Sequence, residues 1–123
     1  MALNDLNDYQ ERAARYDITA LTRGKLWYYG LGIAGEAGEV ADKIKKLYRE
    51  GKVYENHDGD DVFLRLDAEE RAALVKELGD VLWYLAAVAR LLDVSLSDVA
   101  HANLKKLYDR LQRGVMFGSG DER

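Results

Sequence analysis

Apolar residues recur at three- and four-residue spacing through four stretches of the chain, and that spacing predicts an all-α fold of four main antiparallel helices. Leu6, Tyr9, Ala13 and Tyr16 mark a first helix from about Leu3 to Tyr16. Leu26, Tyr29, Ile33, Val40, Ile44 and Leu47 mark a second from about Arg23 to Glu50, with Thr22 as its cap and Gly51 closing it. Four glycines, Gly30, Gly32, Gly35 and Gly38, crowd its middle, so close helix contact or a bend near Gly30 to Gly35 is expected. Leu74, Leu78, Val81, Leu85, Val88 and Leu92 stripe a third helix, begun by the capping box Asp67-Ala68-Glu69-Glu70. Ser95 caps a fourth that runs to about Arg113 and turns Leu96, Val99, Ala100, Leu104, Leu107 and Leu111 inward. Between the second and third helices the period is lost, and His57-Asp58-Gly59-Asp60-Asp61 reads as a short hairpin turn or a loop. Residues 114–123 read as a flexible glycine-rich tail on a single domain spanning 1–123.

Polar residues interrupt this pattern in one informative way. Glu77 and Asp80 lie one turn apart on the edge of the most apolar helix, with Tyr84 one turn further, where surface charges are not ordinarily placed. Forty-one residues earlier Glu36-Ala37-Gly38-Glu39-Val40 repeats the pattern of Glu77-Leu78-Gly79-Asp80-Val81, and the flanking apolar positions match as well. Each copy carries a mid-helix glycine, which costs about 1 kcal/mol relative to alanine unless a backbone or ligand comes close. Side by side, the two helices bring four carboxylates together. Their mutual repulsion at low effective dielectric is relieved by protonation or by a divalent cation, and an oxygen-only donor set suits Mg²⁺ or Mn²⁺.

Composition narrows the setting. The 123 residues contain no cysteine and no proline, which removes disulfides and thiolate sites and favours long helices. A formal net charge of −4 argues against a protein that coats nucleic acid. No signal peptide is visible, and the longest apolar run, Val81 to Ala89, is far short of the about 20 residues a membrane span needs. A soluble cytoplasmic protein is expected.

Other candidates follow from position. Asn103, Lys106 and Arg110 on the fourth helix suit a polyphosphate beside an acidic metal site, or ordinary ion pairs with a neighbouring helix. Trp27, Tyr28 and Tyr29 suit stacking on a planar base, or the core. Gln10 suits an exposed flank or a ligand contact. The acidic run at 58–61 lacks the alternating ligands and terminal glutamate of an EF-hand.

Gly35-Glu36-Ala37-Gly38-Glu39-Val40-Ala41-Asp42-Lys43-Ile44-Lys45-Lys46, followed by Lys76-Glu77-Leu78-Gly79-Asp80-Val81-Leu82-Trp83-Tyr84-Leu85, resembles the MazG-like nucleoside triphosphate pyrophosphohydrolases, whose mark is ExxE on one helix and ExxD on the next. The resemblance extends through Asn103-Leu104-Lys105-Lys106-Leu107 into the tail. It implies Mg²⁺ held by Glu36, Glu39, Glu77 and Asp80, and cleavage of a nucleoside triphosphate between its α- and β-phosphates. It also implies phosphate contacts from Lys43 or Lys46, Asn103, Lys106 and Arg110, sugar or base contacts from Tyr84 and Trp27, and a homodimer or homotetramer. Where many members of that family carry an acid that orients the attacking water, this chain has Gly35, so a metal ligand or Asp42 takes that task or activity is weak. Two rivals stay open. A carboxylate-bridged di-iron or di-manganese bundle would need Glu-x-x-His pairs, and Asp98-Val99-Ala100-His101 is the one acid-x-x-His present. A non-catalytic helical dimer that binds nucleotide or a protein partner is the other.

Overall fold

The computed structural model describes residues 2–18, 25–55 and 62–117. Four α-helices account for most of them: α1 (Leu6–Ala13), α2 (Lys25–Arg49), α3 (Ala68–Leu91) and α4 (Leu96–Gln112). A single 3₁₀ turn, Ala14–Tyr16, continues α1, so the first helix is shorter than its apolar spacing suggests. Between α2 and α3 two short strands, β1 (Val53–Glu55) and β2 (Val62–Leu64), pair antiparallel with Val53 opposite Leu64. The expected turn at 57–61, the Thr22 cap and the tail beyond Phe117 lie outside the described residues.

Local chemistry accounts for the ends of the helices. Asp67 accepts from the Glu70 amide at 2.8 Å while the Glu70 carboxylate accepts from the Asp67 amide at 3.1 Å, the reciprocal box expected from the sequence. Ser95 Oγ accepts from the Asp98 amide at 3.0 Å and starts α4. Gly51 closes α2 at φ +70°, with Lys52 N–H reaching back to the Leu47 carbonyl, and Gly114 closes α4 at φ +68° in the same manner. At the end of α3 the left-handed position is filled by Asp93, φ +55°.

α2 runs unbroken through its four glycines, so of the two expected alternatives it is close helix contact, not a bend, that occurs, and α2 lies along α3 for most of its length. The pairing is antiparallel: Gly32 faces the Tyr84 ring, Lys43 meets Glu77, and Leu47 lies near Leu74. Gly32 is required, since a Cβ there would collide with that ring. Gly38 and Gly79 face open space, so no backbone among the described residues offsets their helix-propensity cost.

The core is small. Ala86, Ala89 and Leu96 are buried together with Tyr9 and Leu82 packed on them, at the junction of α1, α3 and the start of α4. Gln10 ties that junction: its amide donates to the Val94 carbonyl at 3.1 Å and its oxygen accepts from the Leu96 amide at 2.9 Å, while Asn7 accepts from Ser97 N–H at 3.0 Å. Gln10 is therefore a cap for α4, neither an exposed flank nor a ligand contact. The expected inward stripe of α4 is corrected: Leu96 is buried, but Val99, Leu104, Leu107 and Leu111 are exposed, as are Leu78 and Leu85 of α3 and Leu92 at its C-terminal cap. The stripe is apolar, but no element among the described residues lies over it. No helix among the described residues is long and apolar enough to cross a membrane.

Candidate metal centre and groove

The groove between α2 and α3 is built by helix phase. Glu36 points from α2 toward α3, Glu77 answers it, and Asp80 stands one turn along. One carboxylate oxygen from each of Glu36, Glu77 and Asp80 lies within 4.8 Å of the others. Glu39, the fourth predicted ligand, is exposed on α2 and stands outside that triad, although its charge is felt by Glu36. Lys43 Nζ sits 3.2 Å from Glu77 Oε1 and supplies a resident positive charge at the cluster.

Electrostatics bear out the crowding. Burial, then the charges of Asp80, Glu77 and Glu39, hold the Glu36 carboxyl above its ordinary value. The Tyr84 phenol is pushed up to about 12 by its hydrogen bond with Tyr28, by burial, and by the negative charges of Glu36 and Asp80 beyond. Burial and then the Asp80 charge likewise raise Tyr9. Tyr28, read from sequence as a stacking or core residue, thus lies against Tyr84, while Tyr9 stands near Asp80 without having been singled out from sequence as a site residue. Tyr9 looked like one more member of an apolar stripe, and only the packing of α1 on α3 brings it near Asp80.

The remaining candidates are distributed unevenly. Asp42 is paired on its own helix with Lys45 and Lys46, each at 2.5 Å, and these bonds lower its carboxyl to about 2. Lys46 therefore faces Asp42, whose hydrogen bond raises the Lys46 ammonium. Both lysines at 43 and 46 also line a cleft of about 180 Å³ floored by Leu47, Ala73 and Leu74, one turn beyond the acids. At the opposite end Tyr84 packs against Trp83 at 5.0 Å and Tyr28 at 6.2 Å between ring centroids. Trp27 is 80% exposed on the far side of α2, outside that ring cluster. On α4, Asn103 and Lys106 are exposed and Arg110 is buried, while the helix itself packs through α1 and α3.

The donor set fits a hard cation. Three carboxylates converge without histidine or thiolate among them, and His101, the histidine of the acid-x-x-His sequence, is exposed on α4 with its Nδ1 2.9 Å from the Ser97 carbonyl. That removes the Glu-x-x-His ligand pattern of a di-iron bundle from the described residues. A larger hollow of about 740 Å³ lies between α1 and the α3–α4 turn, lined by Asp5, Asp8, Glu11, Arg90 and Asp93 among others, but it is open and shares no residue with the acid triad.

Comparison with known proteins covers both helices that form the groove. A family model described as the MazG nucleotide pyrophosphohydrolase domain matches residues 28–115, which span both acid pairs. The Gene 37 protein of Mycobacterium phage L5 is 48% identical over 98 residues, covering 80% of this chain and 76% of that protein. No solved structure matches the chain.

Proposed function

Because the chain belongs to the MazG nucleotide pyrophosphohydrolase family, we propose that it hydrolyses a nucleoside or deoxynucleoside triphosphate between the α- and β-phosphates, releasing the monophosphate and pyrophosphate in the cytoplasm. The observation that carries this reading is the convergence of Glu36, Glu77 and Asp80 oxygens within 4.8 Å in a groove bounded by lysines at one end and tyrosines at the other. The groove has a direction. Lys43 and Lys46 suit the outer phosphates, the acids suit the scissile bond, and Tyr84 with Tyr28 suits sugar or base. Asn103, Lys106, Arg110 and Trp27 remain candidate contacts in an assembly that brings α4 or the outer face of α2 to the groove.

Mg²⁺ or Mn²⁺ held by Glu36, Glu77 and Asp80, with Glu39 as a candidate fourth ligand, would neutralise phosphate charge and lower the pKa of a water. The residues divide the rest of the work. Lys43, already beside Glu77, holds phosphate oxygens near the acids. Asp42, lowered to about 2 by its two lysines, is a poor proton acceptor at neutral pH. Where Gly35 supplies no acid, one of the cation ligands, such as Glu36, is left to orient the attacking water.

The apolar surface supports a homodimer or homotetramer. Val75, Leu78 and Leu85 on α3, Leu92 just beyond it, and Leu104, Leu107 and Leu111 on α4 are exposed and are the natural contact surface for a second copy. Light scattering at micromolar concentration tests it; a monomer there removes the assembly.

Incubation with a panel of nucleoside and deoxynucleoside triphosphates and Mg²⁺ or Mn²⁺ tests the chemistry. Monophosphate and pyrophosphate in equal amounts are expected. Binding without cleavage of any of them would favour the non-catalytic nucleotide binder, and release of orthophosphate would mean a different bond is attacked.

A further inference from the structure

Behind the groove the tyrosines form one cluster of rings, and its polar ends are fastened by a segment that the family match at 28–115 does not reach. Tyr29 is the central ring, 1% exposed, with centroids 5.9 Å from Tyr28, 6.1 Å from Trp83 and 6.4 Å from Tyr84. Its hydroxyl donates to Asp17 Oδ2, and the same oxygen accepts from the Arg90 guanidinium at 2.8 Å. The Trp83 indole N–H donates to the Ala13 carbonyl at 3.2 Å. The Asp17 side chain is 8% exposed, so it meets these donors largely away from water. The segment that carries it is held in turn, because Gln10 and Asn7 of α1 cap the first amides of α4.

Ring clusters admit several edge-to-face and offset arrangements of similar energy. A polar anchor on the central ring selects one of them. Here the selection propagates forward: Tyr29 and Trp83 both rest on Tyr84, and Tyr84 is the ring that lies against Gly32 and Tyr28 at the edge of the acid triad.

We propose that Asp17 is a positioning residue for the groove: by joining the Tyr29 hydroxyl to the Arg90 guanidinium it fixes the ring cluster that sets the Tyr84 wall, so that the N-terminal segment 2–18 shapes the sugar or base end of the site without touching substrate. This rests on the reading of the groove as a nucleoside triphosphate site. The acids depend on the α2–α3 contact and the Lys43–Glu77 pair rather than on Asp17. Loosening the anchor therefore weakens substrate binding and spares both cation binding and the chemical step.

Asp17→Asn and Tyr29→Phe test it, the second because it keeps the ring and removes only the hydroxyl. Both are expected to raise KM about fivefold while kcat stays within about twofold, as the loss of a binding interaction equal in ground and transition state requires. Cation affinity, measured by calorimetry without nucleotide, should not change. A fluorescence arm, made in a Trp27→Phe background and used for emission only, reads Trp83 directly: both variants should shift its emission to the red and make it more open to acrylamide quenching at unchanged helicity. Wild-type KM and wild-type emission in both variants overturn the proposal. So does a parallel fall of kcat, cation affinity and helicity, which general loosening of the fold would produce. If the unmutated protein cleaves no triphosphate, the functional reading fails on its own, and the emission arm still decides whether Asp17 sets the rings.

Discussion

α3 has two faces that depart from the inside–outside rule in opposite directions. Toward α2 it turns Glu77 and Asp80 to meet Glu36; outward it turns Val75, Leu78 and Leu85, a row that Leu92, 62% exposed, continues at its C-terminal cap. Converging carboxylates repel one another, and hydrocarbon left in water forfeits about 25 cal/mol for each Å² not buried. The two departures teach different lessons. A crowded charge asks for a counter-charge, which Lys43 supplies in part, whereas a bare leucine row asks for protein. On the proposed reading, the first serves chemistry within one chain and the second serves assembly between chains.

The sharpest way to break the first half of the comparison is to remove one charge without changing shape. Asp80→Asn is expected to lower pyrophosphate release by about 10²–10³-fold with helicity intact, the scale of losing one member of a preorganised electrostatic site. Glu36→Gln and Glu77→Gln should behave alike. Glu39→Gln sharpens the boundary: a comparable loss means its exposed carboxylate swings in to join the triad, and a rate within about tenfold of wild type confines the site to three acids.

The second half is tested by putting a charge on the bare face. Leu85→Asp should raise the dissociation constant of a dimer by about 100-fold, or about 2.7 kcal/mol, and lower Tm in a concentration-dependent way. An unchanged elution volume and Tm would show that this face is not where copies meet.

Much of this contrast was legible in the sequence, and the limits are instructive. The ExxE and ExxD pairs are readable because helix phase is local: a three-residue step fixes which edge a carboxylate takes before any tertiary contact is known. The same holds for the Asp67 box, the Ser95 cap and Gly51. The apolar stripe of α4 was equally readable, but period alone says that Leu104 and Leu111 are hydrophobic, and nothing about what covers them. Gln10, Tyr9 and Asp17 were opaque for another reason. Their partners, Leu96, Asp80 and Arg90, lie more than 70 positions away along the chain, and polar residues carry no periodic signature that would announce such a pairing. The unbroken path of α2 belongs to the same class: four glycines lower local helix propensity, and the contact with α3 overrides it.

Gly32 joins the two faces, since it is the point where the groove wall presses on the α2 backbone. Gly32→Ala forces the Tyr84 ring aside. Overpacking of this kind costs about 1–3 kcal/mol, and the displaced ring should raise KM with the acids and cation affinity untouched. A fall in cation affinity instead would show that the Tyr84 wall and the acid triad move as one unit.

The gentlest probe is pH, because it tunes the charge without altering a residue. The Glu36 carboxyl is held above its ordinary 4.5 by burial and by Asp80, Glu77 and Glu39, so the folded chain keeps that proton to higher pH than the unfolded chain does. Its contribution to stability is present below about 4.5 and is lost as pH rises through the raised value. Asp42, lowered to about 2, has the opposite sign: its contribution is present above 3.8 and is lost as pH falls toward 2. The windows do not overlap. Urea midpoints without divalent cation should therefore fall as pH rises above 4.5, the ordinary value for Glu36, and Glu36→Gln should flatten that slope. Mg²⁺ competes with the proton for the same oxygens, so its affinity should weaken on acidification by at most about tenfold per pH unit. The leucine face carries no titrating group among Val75, Leu78, Leu85 and Leu92, and dimer dissociation should not follow this curve. If it does, the acid triad and the apolar row are coupled through α3, and the two faces are one device rather than two.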